Sequence, residues 1–470
     1  MPIATTNPAT GQLLKSYEPM SAEQIDAAIE RADLAYRDLH RTTVAQRAQW
    51  MNAAADLLDA ERDETARLMT TEMGKTYAAA KAEVTKCATA CRFYAAHAER
   101  MLADEPADAA AVKARRAYVR YQPIGPVLAV MPWNFPLWQV MRFAAPALMA
   151  GNTGLLKHAS NVPQTALYLE DVFRRAGFPE GAFTTLLVGS DAVDRILSDP
   201  RVRAATLTGS EGAGRSIAQI AGRELKKTVL ELGGSDPFVV MPSADLDRAA
   251  EVATTARCQN NGQSCIAAKR FIVHTDVFDA FAGKFAAHMA ALRVGDPMDA
   301  DTDVGPLASE SGRDEIHAQV QDAVDHGATV LCGGEKPTGD GWFYPPTVVT
   351  DLNPQMRMWA EEVFGPVAGL YRVSSYEEAI EVANGTPFGL GANAWTTDPA
   401  EQERFATDLD AGNVFVNGMT TSYPELPFGG VKNSGYGREL SALGMREFCN
   451  TKTVWVGEGA ATVGAGAHAE

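Results

Sequence analysis

From residue 127 to residue 234 the chain repeats one rhythm, a short apolar run followed by a longer amphipathic one, and few folds can hold it. The runs are VLAVM then LWQVMRFAAPALMA, TGLLKHA then VPQTALYLEDVFRRAG, TTLLVGS then DAVDRILSD, and AATLTGS then GAGRSIAQIAGRELK, with TVLELGG closing the set. The short runs, bounded by Gly, Ser or His, read as strands, and the longer ones place apolar residues at helical spacing. Strands joined through helices predict a parallel, doubly wound α/β sheet, because parallel neighbours need a crossover connection. Ligands bind such sheets beyond the carboxyl ends of the strands. The segments PWN, KHAS, GS and ELGG all fall there.

The flanking regions read differently. Residues 22–104 read as helices, the first opened by a Ser-x-x-Gln capping box at Ser21 and Gln24. After Gly233-Gly234 a second alternating region begins: DPFVVMP, a helix through Cys258, KRFIVHTDVF and its helix, then GATVLCGG, AGLYRV, GANAWTT and GNVFVNG. This predicts a second α/β domain. RRAYVRYQPIG and CNTKTVWVG alternate polar with apolar, fit neither sheet, and suit an arm that pairs with another subunit. The tail GEGAATVGAGAHAE is Gly/Ala-rich and is expected to be disordered.

Composition narrows function before any motif does. A formal net charge of −17 opposes a polyphosphate backbone, so nucleic acid is not an expected partner, although a local arginine can still hold an anionic substrate. No run of about 18 apolar residues occurs, and MPIATTNPATGQ lacks the basic start and apolar core of a signal peptide, so neither a membrane span nor export is expected. Six cysteines in 470 residues make no disulfide framework and suit a reducing cytoplasm. Cys87 and Cys91 lie on one face of an Ala-rich helix with no matching Cys or His pair nearby. They are expected to be core residues, and no metal site is expected.

No G-x-G-x-x-G follows any of the strands, so an ordinary dinucleotide loop is absent. TGSEGAGRS approaches a P-loop, but Arg215 stands where the lysine belongs, which leaves Gly209 and Ser210 as a phosphate-suited helix start. TEMGKT reads as a helix end. Three residues remain with chemistry to explain. Cys265, in NNGQSCIAAKR, has neither apolar neighbours on both sides nor a second ligand, so it fits neither a structural cysteine nor a metal ligand well and raises the question of a nucleophile. Glu231 ends an apolar strand before two glycines. There it either caps a helix, faces solvent, or serves as a base whose pKa an apolar surround raises. Asn134, between two prolines in MPWNFP, sits on a rigid turn that suits an oxyanion donor.

Together PWNFP at 132–136, TGS at 208–210, ELGG at 231–234, NNGQSC at 260–265, EEVFGP at 361–366 and PFGGVKNSG at 427–435 resemble the aldehyde dehydrogenase superfamily, over almost the whole chain and in its order. KHASNVP, NNGQSCIAAKRF and SYPELPFGG are most similar to its bacterial NADP-dependent branch acting on succinate semialdehyde. The resemblance implies a fold of two doubly wound α/β domains with a β oligomerisation arm. Residues 1–112 with 126–230 would bind the cofactor, 231–423 would be catalytic, 113–125 with 448–457 would form the arm, and 424–447 would return to the cofactor domain.

The resemblance also implies roles. Cys265 would add to the aldehyde, Asn134 and the Cys265 N–H would hold the oxyanion, and Glu231 would activate the water that hydrolyses the thioester. Trp133, Asn134, Lys157, His158, Ala159, Ser160, Gly209, Ser210, Leu232, Glu362 and Phe364 would bind the cofactor. NADP is preferred over NAD, because Ser160 replaces a glutamate of NAD-preferring relatives while Lys157 and His158 add positive potential; alternatively His158 is a surface residue. Arg142, with Trp138, Gln259, Ser422 and Tyr423, would line the substrate site, Arg142 binding the distal carboxylate unless it is paired with a structural carboxylate. Some relatives carry a second arginine where this chain has Gln259, which leaves room for glutarate semialdehyde or a short aliphatic aldehyde. Relatives that pass the acyl group to coenzyme A lack the Glu231 equivalent, and a non-catalytic structural role fits poorly with Cys265, Glu231 and Asn134 together. The family suggests a homodimer or homotetramer. Ala267 stands where some relatives place a second, switch-forming cysteine, and Cys258 is expected in the core.

Overall fold

The computed structural model describes residues 2–457. The alternating runs form a six-stranded sheet in the order Gly435–Tyr436, Lys227–Glu231, Ala204–Thr208, Pro126–Met131, Thr153–His158, Phe183–Thr185. All neighbours are parallel except the first pair. The interior strands are buried almost throughout, as expected when helices cover both faces. From Pro126–Met131 the chain winds outward in both directions, so its topology reverses between that strand and Ala204–Thr208. The crevice beyond these two carboxyl ends is the favoured ligand position of such a sheet. Pro132–Asn134 and Gly209–Ser210 stand on either side of it.

Four helices, Ala22–Leu39, Val44–Ala60, Arg62–Met73 and Tyr77–Met101, precede this sheet. The expected capping box is present at Ser21 and Gln24. TEMGKT is a helix end, with Gly74 left-handed at φ 83°. Cys87 and Cys91 are fully buried in the apolar core that these helices share with the helix Trp138–Ala150. One element ahead of them carried no apolar signal. Ile3–Asn7 and Gln12–Tyr17 form an antiparallel hairpin whose second strand is almost wholly exposed.

The second region forms a seven-stranded sheet, Thr329–Cys332, Thr347–Thr350, Val367–Val373, Ala268–His274, Asp236–Val240, Gly391–Trp395, Asn413–Val416, parallel except for its first pair. Thr347–Thr350 was not anticipated; at four residues, all buried, it shows no period to read. The two remaining alternating segments pair with each other, Arg116–Pro123 against Cys449–Val456 in an unbroken eight-residue register, and Glu105–Pro106 adds a short third strand. The Gly/Ala-rich tail beyond residue 457 lies outside the described residues. Among the described residues no helix is long and apolar enough to cross a membrane.

Candidate active site

Asn260 and Asn261 both take left-handed backbone angles, φ 54° and 58°, which asparagine tolerates better than most residues. They end the helix Leu246–Cys258 and turn the chain sharply before Cys265. Two side chains then fasten the loop. The buried Lys269 amine donates to the carbonyls of Ser264 (3.0 Å) and Cys265 (2.7 Å), and lies 3.3 Å from a Glu362 carboxylate oxygen. Asn134 Nδ2 donates to the Gln263 carbonyl at 3.2 Å, while Asn260 Nδ2 donates to the carbonyls of Asn134 (2.7 Å) and Gln263 (3.0 Å). An amide nitrogen carries two hydrogens, so Asn134 keeps one for a ligand. Among the described residues the Cys265 N–H donates to no other group. The half-buried thiol is pushed up to about 12, by burial first and against the pull of Arg142 and Lys269.

Glu231 ends its strand with the carboxylate buried and neither oxygen hydrogen-bonded. Its pKa is raised well above the ordinary carboxylate range, by burial and then by the neighbouring Glu439. Two glycines follow because the backbone is approached on both sides. A Cβ on Gly233 would stand 2.5 Å from a Glu362 oxygen, and one on Gly234 would stand 2.6 Å from the Cys265 carbonyl. Glu439 lay unnoticed in sequence, since nothing local marks SGYGREL as buried. Its carboxylate lies 2.7 Å from Arg142 Nε, and both side chains are nearly inaccessible. Arg142 therefore has the structural partner held open above, and it also stacks 4.7 Å over the Phe428 ring. Its Nη2, buried and without a partner, remains available.

The expected cofactor residues largely converge. Trp133, Asn134, Gly209, Ser210, Leu232, Glu362 and Phe364 line one cleft of about 270 Å³ together with Cys265. Trp133 and Phe364 meet edge to face at 5.8 Å. Ser210 caps the helix Glu211–Arg223, accepting from Ala213 N, and so turns a helix N-terminus toward the cleft. Glu362 accepts from Gly234 N at 3.2 Å. At the next strand end, Lys157, Ala159 and Ser160 are half-buried, and Lys157 is lowered by desolvation.

His158 requires a correction, for it is neither a surface residue nor a source of positive potential. It is buried, its ring nitrogen Nε2 lies 2.9 Å from the Pro136 carbonyl, and Nδ1 accepts from Ala159 N at 2.9 Å. Nδ1 also lies 3.2 Å from the Met131 carbonyl, but the shorter contact with Ala159 N–H favours the proton on Nε2, and burial depresses the pKa to about 4, so the ring is neutral. It ties the strand end to the PWNFP turn.

Of the residues assigned to the distal end of the substrate, Trp138 and Ser422 meet: Trp138 Nε1 donates to Ser422 Oγ at 3.0 Å. Gln259 instead reaches back toward the Ala256 carbonyl, and Tyr423 is 46% exposed, stacked with Phe415. Sequence reasoning missed two helix residues. Glu83 Oε1 accepts from the N–H groups of Leu137 (2.9 Å) and Trp138 (2.8 Å), and so caps the helix Trp138–Ala150. Its other oxygen pairs with the buried Lys75. Lys86, one turn further on, donates to Ser422 Oγ at 3.0 Å. The signal was there: charges three apart on the apolar face of an Ala-rich helix.

A half-buried thiol, an unpartnered carboxylate and an amide with a spare hydrogen are set around a cleft at the carboxyl ends of a doubly wound sheet, beside a helix N-terminus, an arrangement suited to an oxidoreductase. The chain belongs to the aldehyde dehydrogenase family, whose sequence profile matches residues 1–454. It is 69% identical over 458 residues, 97% of each chain, to a Mycolicibacterium paratuberculosis protein named succinate-semialdehyde dehydrogenase (NADP+). It is 66% identical over 456 residues, 97% of this chain and all of the other, to a Mycobacterium tuberculosis protein named succinate-semialdehyde dehydrogenase (NADP+) 1. Its fold superimposes with a TM-score of 0.94 on the crystal structure of a succinic semialdehyde dehydrogenase from Streptococcus pyogenes in complex with NADP+, at 38% identity over 97% of this chain and all of the other.

Proposed function

We propose that this chain oxidises succinate semialdehyde to succinate with NADP+, through a thioester on Cys265 that water hydrolyses. The observation that carries the reading is that the Cys265 thiol lines the same cleft as the residues suited to a dinucleotide. Those residues fit the cofactor: the helix start at Gly209-Ser210 suits the pyrophosphate, Glu362 the ribose hydroxyls, and Trp133, Leu232 and Phe364 the ring. Ser160 leaves no carboxylate to repel a 2′-phosphate, and Lys157 supplies the cation that His158 does not.

Cys265 loses its proton as it adds to the aldehyde carbon, and the alkoxide so formed sits against the spare Asn134 N–H and the Cys265 N–H. A donor of this kind contributes about 3–4 kcal/mol in the transition state. When bound, the nicotinamide accepts the hydride that leaves this carbon. Glu231 then removes a proton from water as the water attacks the thioester, and the thiolate leaves. The products balance as carboxylate, reduced cofactor and two protons. Water, rather than coenzyme A, is the acceptor because Glu231 is present to activate it; a strict coenzyme A requirement would overturn this. The helices and sheet of residues 1–112 and 126–230 serve as the cofactor domain and 231–423 as the catalytic domain. Residues 424–447 return to the cofactor domain. The sheet built from 113–125 and 448–457 serves as an oligomerisation arm in a cytoplasmic homodimer or homotetramer.

One observation favours a second reading, an uncharged short aliphatic aldehyde: Glu439 already neutralises Arg142. Rates with succinate semialdehyde, glutarate semialdehyde and butanal, each with NADP+ and with NAD+, decide the matter. The expected result is the highest kcat/KM for succinate semialdehyde with NADP+. Equal kcat/KM for butanal, or a preference for NAD+, contradicts it.

A further inference from the structure

Beside Ser422 and Trp138 stands a cation, Lys86, that the reaction above does not use. We infer that Lys86 is the second cationic contact for the distal carboxylate of the substrate, acting with Arg142 and the Ser422 hydroxyl. The inference rests on the proposed function and deepens it.

Three elements meet at Ser422. Its Oγ accepts from Lys86 Nζ and from Trp138 Nε1, each at 3.0 Å, and Lys86 Nζ lies 4.3 Å from the Trp138 ring centroid. With both lone pairs engaged, the Ser422 hydroxyl proton is free to donate outward. Arg142 follows Trp138 by four residues on the helix Trp138–Ala150, which places the two side chains on one face.

Charge counting singles out Lys86. Arg142 is matched by Glu439 at 2.7 Å. Glu83, three residues before Lys86 on its own helix, is committed to Lys75 and to two backbone N–H groups. Among the described residues no carboxylate lies within ion-pair distance of Lys86, and Ser422 occupies only one of its three donors. A half-buried ammonium without a counter-ion favours an anion placed beside it. The Arg142 Nη2 group lacks a partner too, so an incoming carboxylate would satisfy both. The arginine that some relatives place at the position of Gln259 is thereby replaced from a different helix.

The charge on Lys86 is also titratable. Burial first, then repulsion from Arg142, lower its pKa to about 8, against the opposing pull of Cys87 and Glu83. Below that value the amine is an ammonium; as pH rises through it, the attraction for a carboxylate is lost.

The test measures kcat/KM for succinate semialdehyde and for butanal in the wild type, Lys86→Met and Lys86→Arg, with NADP+ saturating. A charge-assisted contact of this kind predicts that Lys86→Met lowers the ratio of succinate semialdehyde to butanal roughly tenfold to a hundredfold, mainly through KM. Lys86→Arg restores most of the ratio. In the wild type, KM for succinate semialdehyde rises above about pH 8 while that of Lys86→Arg stays level. A wild type that prefers succinate semialdehyde, with Lys86→Met keeping the full preference, overturns the role of Lys86 alone. A wild type with no preference overturns the substrate reading itself.

Discussion

Burial shifts both the Cys265 thiol and the Glu231 carboxyl toward their neutral forms, outweighing the cations nearby. The thiol therefore gives up its proton in the course of attack, and Glu231 works as a base only in the fraction that has lost its own. With a raised pKa, that fraction grows as pH rises. The rate of thioester hydrolysis is thus expected to climb with pH above the ordinary carboxylate range, and Glu231→Gln to flatten the climb and lower kcat at least roughly a thousandfold. A steady-state pH series on both proteins checks this. Asn134→Ala is expected to cost about 10²–10³ in kcat with a smaller change in the KM for NADP+, since the N–H left over from its bond to the Gln263 carbonyl is the one that meets the alkoxide. Initial rates separate the two parameters. Ser160→Glu places a carboxylate where the 2′-phosphate would lie, and is expected to shift the NADP/NAD ratio of kcat/KM toward NAD at least about tenfold. An unchanged ratio would contradict the placement of the cofactor.

At the scale of elements, the helix Trp138–Ala150 carries Trp138 and Arg142, and its start is held by a residue from another helix. Glu83→Ala removes the cap of two N–H groups and strands Lys75 in the core, so it is expected to destabilise the protein by about 3–5 kcal/mol. Thermal or denaturant unfolding measures the loss; Glu83→Gln, which can still accept one N–H, should lose less. This element also shows what local pattern can and cannot reveal. The strands at 126–131, 153–158, 204–208 and 227–231 were legible because each is an apolar run closed by a turn signal. Cys265, Glu231 and Asn134 were legible in combination, because the motifs that carry them together resemble one family, whereas each alone left a bland reading open. The hairpin at the N-terminus was not, since its exposed strand has no apolar period. Neither was Glu439, whose meaning lies in Arg142 nearly 300 residues earlier. His158 was misjudged for the same reason: burial among distant residues keeps it neutral, and its contacts with Pro136 and Ala159 orient the ring, one of them from another strand's turn.

Across the whole molecule, the site is a seam. The Glu231 strand belongs to one sheet, Cys265 leads into a strand of the other, and the Gly233-Gly234 link brings them together. The three-stranded sheet that carries Arg116–Pro123 and Cys449–Val456 stands outside both, and light scattering is expected to show the mass of two or four chains. A monomer would contradict its role as an arm. The central claim, a covalent intermediate on Cys265 released by water that Glu231 activates, has a direct test. Glu231→Gln incubated with NADP+ and succinate semialdehyde, quenched in acid and analysed by peptide mass spectrometry, should carry a succinyl group on Cys265. Wild-type protein treated in the same way should carry far less. An unmodified Cys265 in the variant, or an acyl group on another residue while the wild type turns over, would contradict the account.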